Sequence, residues 1–247
     1  MIKRRQLSPD ILFVVNDFGF FKTHRLGIVE YLIDKGMTVS VLTNLSNANS
    51  SDLTRMNQKK ITLFNFNFDR ASINPFLNLY YLFRLFQLLV YIKPKKLSLI
   101  SAKPIVLGGI CTLFLRFESV FFSITGMGYA FISNSLQAKI IRRILLFIYR
   151  IIFKKNNIRV IFQNSDDEED FIKKGLVDSN KSILIKGNGI DTELYKRSNY
   201  PSKLTFLFAS RLLIDKGIRE FIKCSERIST EDAVFKVAGE RDDINPN

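Results

Sequence analysis

The chain has 247 residues, 47% of them hydrophobic, which suits one large or two smaller globular domains and excludes a disordered chain. Two distant cysteines and a single histidine lack the spacing of a zinc site, and we expect neither a metal ion nor a cofactor. The net charge is +14, and residues 70–165 hold 14 Lys and Arg against one acid, Glu118. This basic block indicates a polyanionic partner, either an anionic membrane leaflet or nucleic acid.

Apolar runs alternate with helical patterns along the first 186 residues. We predict strands at 11–15, 38–43, 61–66, 97–101, 119–124, 158–163 and 182–186, and helices at 22–35, 76–92, 104–116, 135–155 and 166–175. Continuous apolar strands are typical of a parallel sheet covered on both faces, so residues 1–186 are predicted to form a doubly wound, Rossmann-like α/β domain. Neither a signal peptide nor a membrane-spanning helix is expected, which favours the cytoplasm.

The pattern is interrupted over residues 187–203, which we interpret as a linker, and then resumes. A strand at 204–209, a helix at 217–229 and a strand at 233–238 predict a second α/β domain over 204–247. Two strands cannot cover their own faces and edges, so we expect this domain to be incomplete.

Two turns that follow predicted strands carry candidate site residues. NDFGFFKTHR (16–25) contains Gly19 and the only histidine, His24, which is either a cleft residue or an ordinary surface residue. In SITGMGYAF (123–131), Gly126 and Gly128 permit close backbone approach and Tyr129 can stack on a sugar, although a tight structural turn would explain the same residues.

A third segment, ASRLLIDKGIREF (209–221), places Arg211 at a strand end and Lys216 at a helix start. Arginine offers a planar fork to phosphate oxygens and lysine a point charge, and a helix start favours an anion. The pair therefore predicts a diphosphate site, with a solvated surface pair as the alternative.

The predicted helix 135–155 is both basic and amphipathic. It is either a core helix with a solvated basic face or a helix that lies on an anionic bilayer. Nucleic acid is disfavoured as the partner because the chain has no recognition motif and the basic block lies on apolar helices.

Seven segments in chain order together resemble the glycosyltransferases of family 4, which have the two-domain GT-B fold, and especially the bacterial members that build capsules, O-antigens and lipid-linked glycans. The segments are ILFVVNDFGFFKTHR (11–25), DRASINPF (69–76), SAKPIVLGG (101–109), ITGMGYAF (124–131), GNGIDTELY (187–195), ASRLLIDKGIREF (209–221) and VAGERDDINPN (237–247). Thr125 stands where many relatives have histidine. The family's Glu-x7-Glu segment, which holds the donor sugar and ribose, has no counterpart here.

The resemblance implies a retaining hexosyl or N-acetylhexosaminyl transfer from a nucleotide diphosphate sugar, UDP-linked, to a lipid-linked or polysaccharide acceptor at the cytoplasmic face of the membrane, without a metal. It assigns His24, Thr125 and Gly126 to the acceptor and sugar side, Arg211, Lys216 and Gly217 to the donor diphosphate, Gly19, Phe20, Arg25, Arg70, Lys103, Gly128 and Tyr129 to the cleft, and Gly187, Gly189 and Asp191 to the hinge.

Two alternatives to an active transferase stay open at this point. In the first alternative, the chain is an inactive, membrane-associated remnant. In the second, it is one subunit of a split enzyme whose C-terminal half is a separate chain. In both cases we expect no sugar transfer by the 247 residues alone.

Overall fold

The computed structural model describes residues 8–67, 69, 72–126, 131, 135–193, 195–228 and 231–239. They form two compact units, Met1–Ile190 and Asp191–Asn247, and the division falls inside the segment interpreted as a linker. Three predicted site residues, Arg70, Gly128 and Tyr129, lie outside the described residues.

The described part of the first unit has a parallel sheet of seven strands in the order β3-β2-β1-β4-β5-β6-β7. The strands are β1 Ile11–Asp17, β2 Val39–Asn44, β3 Thr62–Asn65, β4 Lys96–Ile100, β5 Ser119–Ile124, β6 Ile158–Phe162 and β7 Ser182–Leu184. The helices are α1 Phe18–His24, α2 Leu26–Asp34, α3 Ser50–Gln58, α4 Pro75–Ile92, α5 Ala102–Phe114, α6 Leu136–Ile152 and α7 Ser165–Lys173, and a 3-10 turn, Ser179–Lys181, precedes β7. The predicted α/β class is confirmed.

Alternate residues of the central strand serve two separate cores. Leu12 and Val14 of β1 belong to the core that packs beneath α4, α5, α6 and α7. Ile11, Phe13 and Val15 of the same strand belong to the core beneath α1, α2 and α3. Since side chains of a strand alternate between faces, an uninterrupted apolar run is what a sheet covered on both sides requires.

Helix α5 lies unusually close to its neighbours because it contains two adjacent glycines. A Cβ atom on Gly108 would lie 2.4 Å from Leu99 Cδ2, and one on Gly109 would lie 2.6 Å from Ile152 Cδ1. The glycines therefore let α5 approach β4 and α6 closely.

The first predicted helix, 22–35, is wrong in its start and in its continuity. The Asp17 carboxylate accepts a hydrogen bond from the Phe20 N–H, so α1 already begins at Phe18. The helical path then breaks at Arg25, whose φ and ψ are −129° and −15°, before α2 begins.

Sequence reasoning missed α3 altogether. It is largely polar, and only Asp52 and Met56 are buried in it. Its start carried one usable signal, Asn49, whose side chain caps the helix by accepting from the Asp52 N–H at 2.8 Å.

One helix of the described chain, α4, is long and apolar enough to cross a membrane, with a mean hydropathy of 1.3 over 18 residues. Length and composition alone do not contradict the expectation of no membrane-spanning helix, since Arg84 interrupts the apolar run of α4. In the folded unit α4 packs Leu85, Leu89 and Ile92 into the core and leaves its other side exposed.

The second unit contains β8 Leu204–Ala209, a 3-10 turn Ile214–Lys216, α8 Ile218–Ser225 and β9 Ala233–Ala238. The two strands pair in parallel, with Leu204 opposite Ala233. The predicted helix 217–229 is wrong in its extent, since α8 ends at Ser225. Phe206 stacks on Phe235 with ring centroids 5.0 Å apart.

Candidate functional site

The carboxyl ends of β1 and β4 meet at the centre of the first unit's sheet. Strand order reverses there, because β2 and β3 lie beyond β1 whereas β5, β6 and β7 lie beyond β4. Ligands of open α/β sheets bind in the crevice outside such a switch point. A separate hollow of about 420 Å³ lies where α4 and α5 end, and its lining includes Lys93, Lys95 and Arg116. It contains none of the predicted site residues.

Helix α1, which directly follows β1 at this carboxyl edge, carries a stacked aromatic pair. The rings of Phe20 and His24 stack with centroids 4.4 Å apart and an angle of 11° between their planes. His24 Nδ1 lies 2.6 Å from Thr23 Oγ1 and 3.3 Å from the Phe20 carbonyl oxygen. Nδ1 is therefore occupied locally, and the exposed Nε2 is the ring atom left to contact a ligand. Gly19 is exposed in the first turn of the same helix, and its carbonyl accepts from Thr23 Oγ1 at 2.9 Å.

Arg25, at the break between α1 and α2, is half-buried and held in one orientation. Its Cζ lies 5.7 Å from the centroid of the Phe20 ring, and Nη1 donates to the His24 carbonyl at 3.1 Å and to Asn188 Oδ1. Asn188 Oδ1 also accepts from Gln163 Nε2 at 2.6 Å. Desolvation lowers the pKa of Arg25. The segments after β1, β6 and β7 thus converge on one guanidinium.

The ends of β4 and β5 are joined by a hydroxyl pair. Ser101 Oγ lies 3.2 Å from Thr125 Oγ1, and the Ser101 N–H donates to the Ser123 carbonyl at 3.1 Å. Ser101 has a φ of +74°, which is rare for a residue with a side chain. Gly126 follows with a φ of +141°, a conformation that favours glycine. The predicted Thr125 and Gly126 therefore lie at the carboxyl edge, on a turn that is fixed to β4.

Lys103, in the first turn of α5, holds the segment that precedes α4. Its Nζ donates to the carbonyl oxygens of Ser72, at 2.8 Å, and of Asp69, and lies 5.7 Å from the Tyr81 ring centroid. Burial lowers the pKa of Lys103. This lysine positions the edge of the crevice through backbone carbonyls.

Two of the predicted hinge residues adopt the left-handed backbone that favours glycine. Gly187 and Gly189 have φ values of +75° and +72° and are exposed. In the second unit, Asp191 turns the chain by accepting from the Glu193 N–H at 2.9 Å.

The predicted diphosphate residues lie together in the second unit. Arg211 is exposed just after β8, and Lys216 ends the 3-10 turn that leads into α8. Gly217 has a φ of +85° and forms the N-terminal cap of α8. Sequence reasoning missed Gly239, at which a Cβ would lie 1.8 Å from the Ser210 carbonyl oxygen. The ends of β8 and β9 therefore meet closely, directly before Arg211.

Three further residues of the first unit's site were not predicted. Asn188 and Gln163 act through Arg25. Asn16 ends the buried part of β1, and its buried Oδ1 has no hydrogen-bond partner within the described residues. Nothing in their local sequence distinguishes Asn188 or Gln163, whereas an Asn directly after a buried strand was a usable signal for Asn16. Among the described residues no group of three or more His, Cys, Asp or Glu side chains could hold a metal ion.

Residues 10–165 match the model of a family described as "Glycosyl transferase 4-like". The chain belongs to this family. It is also 26% identical over 196 residues to the N,N'-diacetylbacillosaminyl-diphospho-undecaprenol alpha-1,3-N-acetylgalactosaminyltransferase of Campylobacter jejuni subsp. jejuni serotype O:2, an alignment that covers 74% of this chain and 51% of that protein. The family 4 resemblance of the sequence is thereby confirmed.

Solved glycosyltransferase structures show the same fold. A glycosyltransferase from Rickettsia africae has a TM-score of 0.65 at 15% identity, over 93% of this chain and 60% of that one. Anabaena HepE, in complex with UDP and glucose, has a TM-score of 0.65 at 17% identity, over 95% and 62%. The sucrose-phosphate synthase of Thermosynechococcus elongatus has a TM-score of 0.67 at 14% identity, over 95% and 63%.

The fold of this family 4 chain is therefore of the GT-B type, as the sequence predicted. The chain spans about half the length of the Campylobacter relative and less than two thirds of each of the three solved chains.

Proposed function

We propose that this chain supplies the acceptor-side domain, and part of the donor site, of a retaining glycosyltransferase. The enzyme transfers a hexosyl or N-acetylhexosaminyl group from a UDP-sugar to a lipid-linked glycan at the cytoplasmic face of the membrane. The observation that carries this proposal is the placement of His24, Arg25 and the Ser101–Thr125 turn along the carboxyl edge of a family 4 domain. The Campylobacter relative, whose name includes a diphospho-undecaprenol acceptor, supports the lipid-linked class.

In this proposal Arg211 and Lys216 stabilise the diphosphate leaving group. Negative charge develops on the leaving phosphate as the bond to the sugar breaks, and fixed positive charges stabilise that state more than the ground state. Gly239 and Gly217 keep the surrounding backbone close and correctly turned. The acceptor hydroxyl forms the new bond to the sugar, and the leaving phosphate takes up its proton.

A membrane surface fits the outer side of the first unit. Large apolar side chains of three neighbouring helices are exposed there, and we refer to them as the apolar face. They are Phe76, Leu79, Tyr80, Phe83, Val90 and Tyr91 of α4, Leu113 and Phe114 of α5, and Leu136, Ile140, Ile144, Phe147 and Ile151 of α6. An apolar groove of about 220 Å³ lies between α4 and α5.

Positive charge borders the apolar face. On α6 the exposed Lys139, Arg143 and Arg150 recur at helical spacing and form a stripe beside the exposed apolar one. Arg84 is exposed on α4. Exposed apolar surface next to lysine and arginine suits an anionic bilayer, where burial of apolar area and attraction to lipid charge act together.

A fusion of this chain to the C-terminal half of the Campylobacter relative tests the proposal, because the fusion supplies the rest of a donor domain. UDP-linked hexoses and N-acetylhexosamines are offered with an undecaprenyl-diphosphate-linked glycan in vesicles. A lipid-linked product longer by one sugar is expected. If a folded fusion binds UDP and yet transfers no sugar from any donor, the proposed reaction is wrong.

A further inference from the structure

Arg25 retains part of its hydrogen-bonding capacity after every contact in the described chain is counted. A guanidinium has five N–H donors. Nη1 is engaged by the carbonyl of His24 and by Asn188, whereas Nε and Nη2 have no partner among the described residues. The Nε–Nη2 edge is one of the edges with which arginine binds two oxygens of a carboxylate or phosphate side by side.

The charge of Arg25 is also not neutralised within the described chain. Both oxygens that accept from it belong to uncharged groups, and no described carboxylate forms a salt bridge with it. The two acids that flank Arg25 along the chain are engaged elsewhere: Glu30 pairs with Lys59 Nζ at 2.8 Å, and Asp17 Oδ1 accepts from the Phe20 N–H at 2.8 Å. A partly desolvated cation without a counter-charge costs free energy, and a bound anion would remove that cost.

The surroundings keep this edge in one place. The Phe20 ring, the His24 carbonyl and Asn188 together fix the guanidinium, and Gln163 in turn fixes Asn188. A cation fixed in advance loses little conformational freedom when it binds a ligand. Such rigidity is unusual for a surface arginine and is expected of a binding group.

We propose that the Nε–Nη2 edge of Arg25 binds a phosphate oxyanion, and that this oxyanion belongs to the diphosphate of the lipid-linked acceptor. The inference rests on the proposed function for the identity of the ligand. The donor diphosphate has its own cations in the second unit, Arg211 and Lys216, so the cation of the first unit is left for the acceptor.

Binding to the 247-residue chain tests this without any sugar transfer. Calorimetry with inorganic pyrophosphate and with geranyl diphosphate, a short soluble lipid diphosphate, is compared with geraniol and with UDP. In Arg25→Gln the affinity for both diphosphates is expected to fall about tenfold or more, as for a lost hydrogen bond to a charged group. The matched control, Arg55→Gln on the exposed side of α3, removes the same charge and is expected to change affinity less than about twofold, because it only alters long-range attraction.

Asn188→Asp provides a second test that preserves side-chain volume at an exposed position. The substitution places a carboxylate beside Arg25, and it is expected to lower the affinity for both diphosphates by a similar factor. The proposal is overturned if Arg25→Gln binds the diphosphates as well as Arg55→Gln does, or if the wild-type chain binds geranyl diphosphate no better than geraniol. If Arg25→Gln does not fold, an unchanged affinity in Asn188→Asp overturns it. If Arg25→Gln loses affinity for UDP and for geranyl diphosphate equally, the Nε–Nη2 edge would be assigned to the donor diphosphate instead.

These results are independent of catalysis. An inactive fusion with intact, Arg25-dependent binding of geranyl diphosphate would contradict the proposed reaction and leave the anion site standing.

Discussion

Replacing two phenylalanines of the apolar face, Phe76 and Phe83, by serine should abolish most membrane binding. Their side chains are 82% and 59% exposed, so most of each ring is available to a bilayer. Full burial of a phenylalanine contributes about 1.5–3 kcal/mol, and scaling by exposure leaves about 1–2.5 kcal/mol for each ring. The double variant should therefore lose about 2–4 kcal/mol, a fall in partition coefficient of about 30- to 1000-fold. Folding should be little affected, because neither side chain belongs to the core.

The assay is sedimentation with vesicles that contain anionic lipid. The chain has no tryptophan, so Phe147→Trp adds a single fluorophore whose emission should shift to the blue when it enters lipid. Tyr31→Ser, at an exposed position on the opposite side of the sheet, is the matched control. Binding should also weaken with salt, because screening shortens to about 8 Å at physiological ionic strength. If the double phenylalanine variant sediments like the control, the apolar face is not the membrane surface. If neutral vesicles bind equally well, the positive charge that borders the apolar face does not contribute to binding.

Three further outcomes are expected. In the fusion protein, Arg211→Ala and Lys216→Ala should each lower transfer by about 10²-fold, comparable to the loss of one oxyanion donor, and unchanged turnover in both would refute the diphosphate site. Gly126→Val should lower transfer by at least about tenfold, since a β-branched residue does not adopt a φ of +141° without strain, and wild-type kinetics would show that this turn is not critical. Burial raises the pKa of the Cys111 thiol to about 12, so at pH 8 a thiol reagent should modify only the exposed Cys224 in the native chain. After unfolding, both cysteines should react. Rapid modification of two cysteines per native chain would contradict the packing around α5.

The sheet could be predicted from the sequence because buried parallel strands leave a local signal. The run ILFVV is apolar throughout, SVFFSI is apolar apart from Ser119 and Ser123, and both match the observed strands to within two residues. The same logic fails for α3, whose small buried side is surrounded by polar residues. It also fails for the start of α1, which depends on the Asp17 cap more than on apolar periodicity.

The apolar face shows a different limit of sequence reasoning. In α6 the inward residues include Ala138 and Ile152, whereas Ile140, Ile144 and Phe147 point outward. The sequence presents both sets as apolar positions at helical spacing, and periodicity alone cannot distinguish the side that packs on the core from the side left exposed. Only the position of the sheet shows which side of α6 packs on the core and which side is exposed.

The contacts of Arg25 lay beyond sequence reasoning for a topological reason. Asn188, which accepts from Arg25, lies 163 positions further along the chain, and Gln163, which fixes Asn188, lies 138 positions further. The order of the sheet brings the three segments together. Family resemblance placed Arg25 in the cleft but gave it no partner. The roles of the predicted site residues stay predictions until the variants are measured.

The apolar face and the crevice share one edge of the first unit, and this has a mechanistic consequence. Helices that follow parallel strands begin at the carboxyl edge of the sheet, so the first turns of α4 and α5 lie on the side where β1 ends. Phe76 and Leu79 are in those turns of α4, and Lys103 ties the segment before α4 to the start of α5.

A lipid-linked acceptor has its chain in the bilayer and its diphosphate at the bilayer surface. If the N-terminal ends of α4 and α5 rest on the membrane, a diphosphate at the bilayer surface lies near the carboxyl edge of the sheet, and Arg25 presents its unoccupied donors at that edge. Binding of geranyl diphosphate in vesicles should therefore depend on both Arg25 and Phe76, whereas binding of pyrophosphate in solution should depend on Arg25 alone.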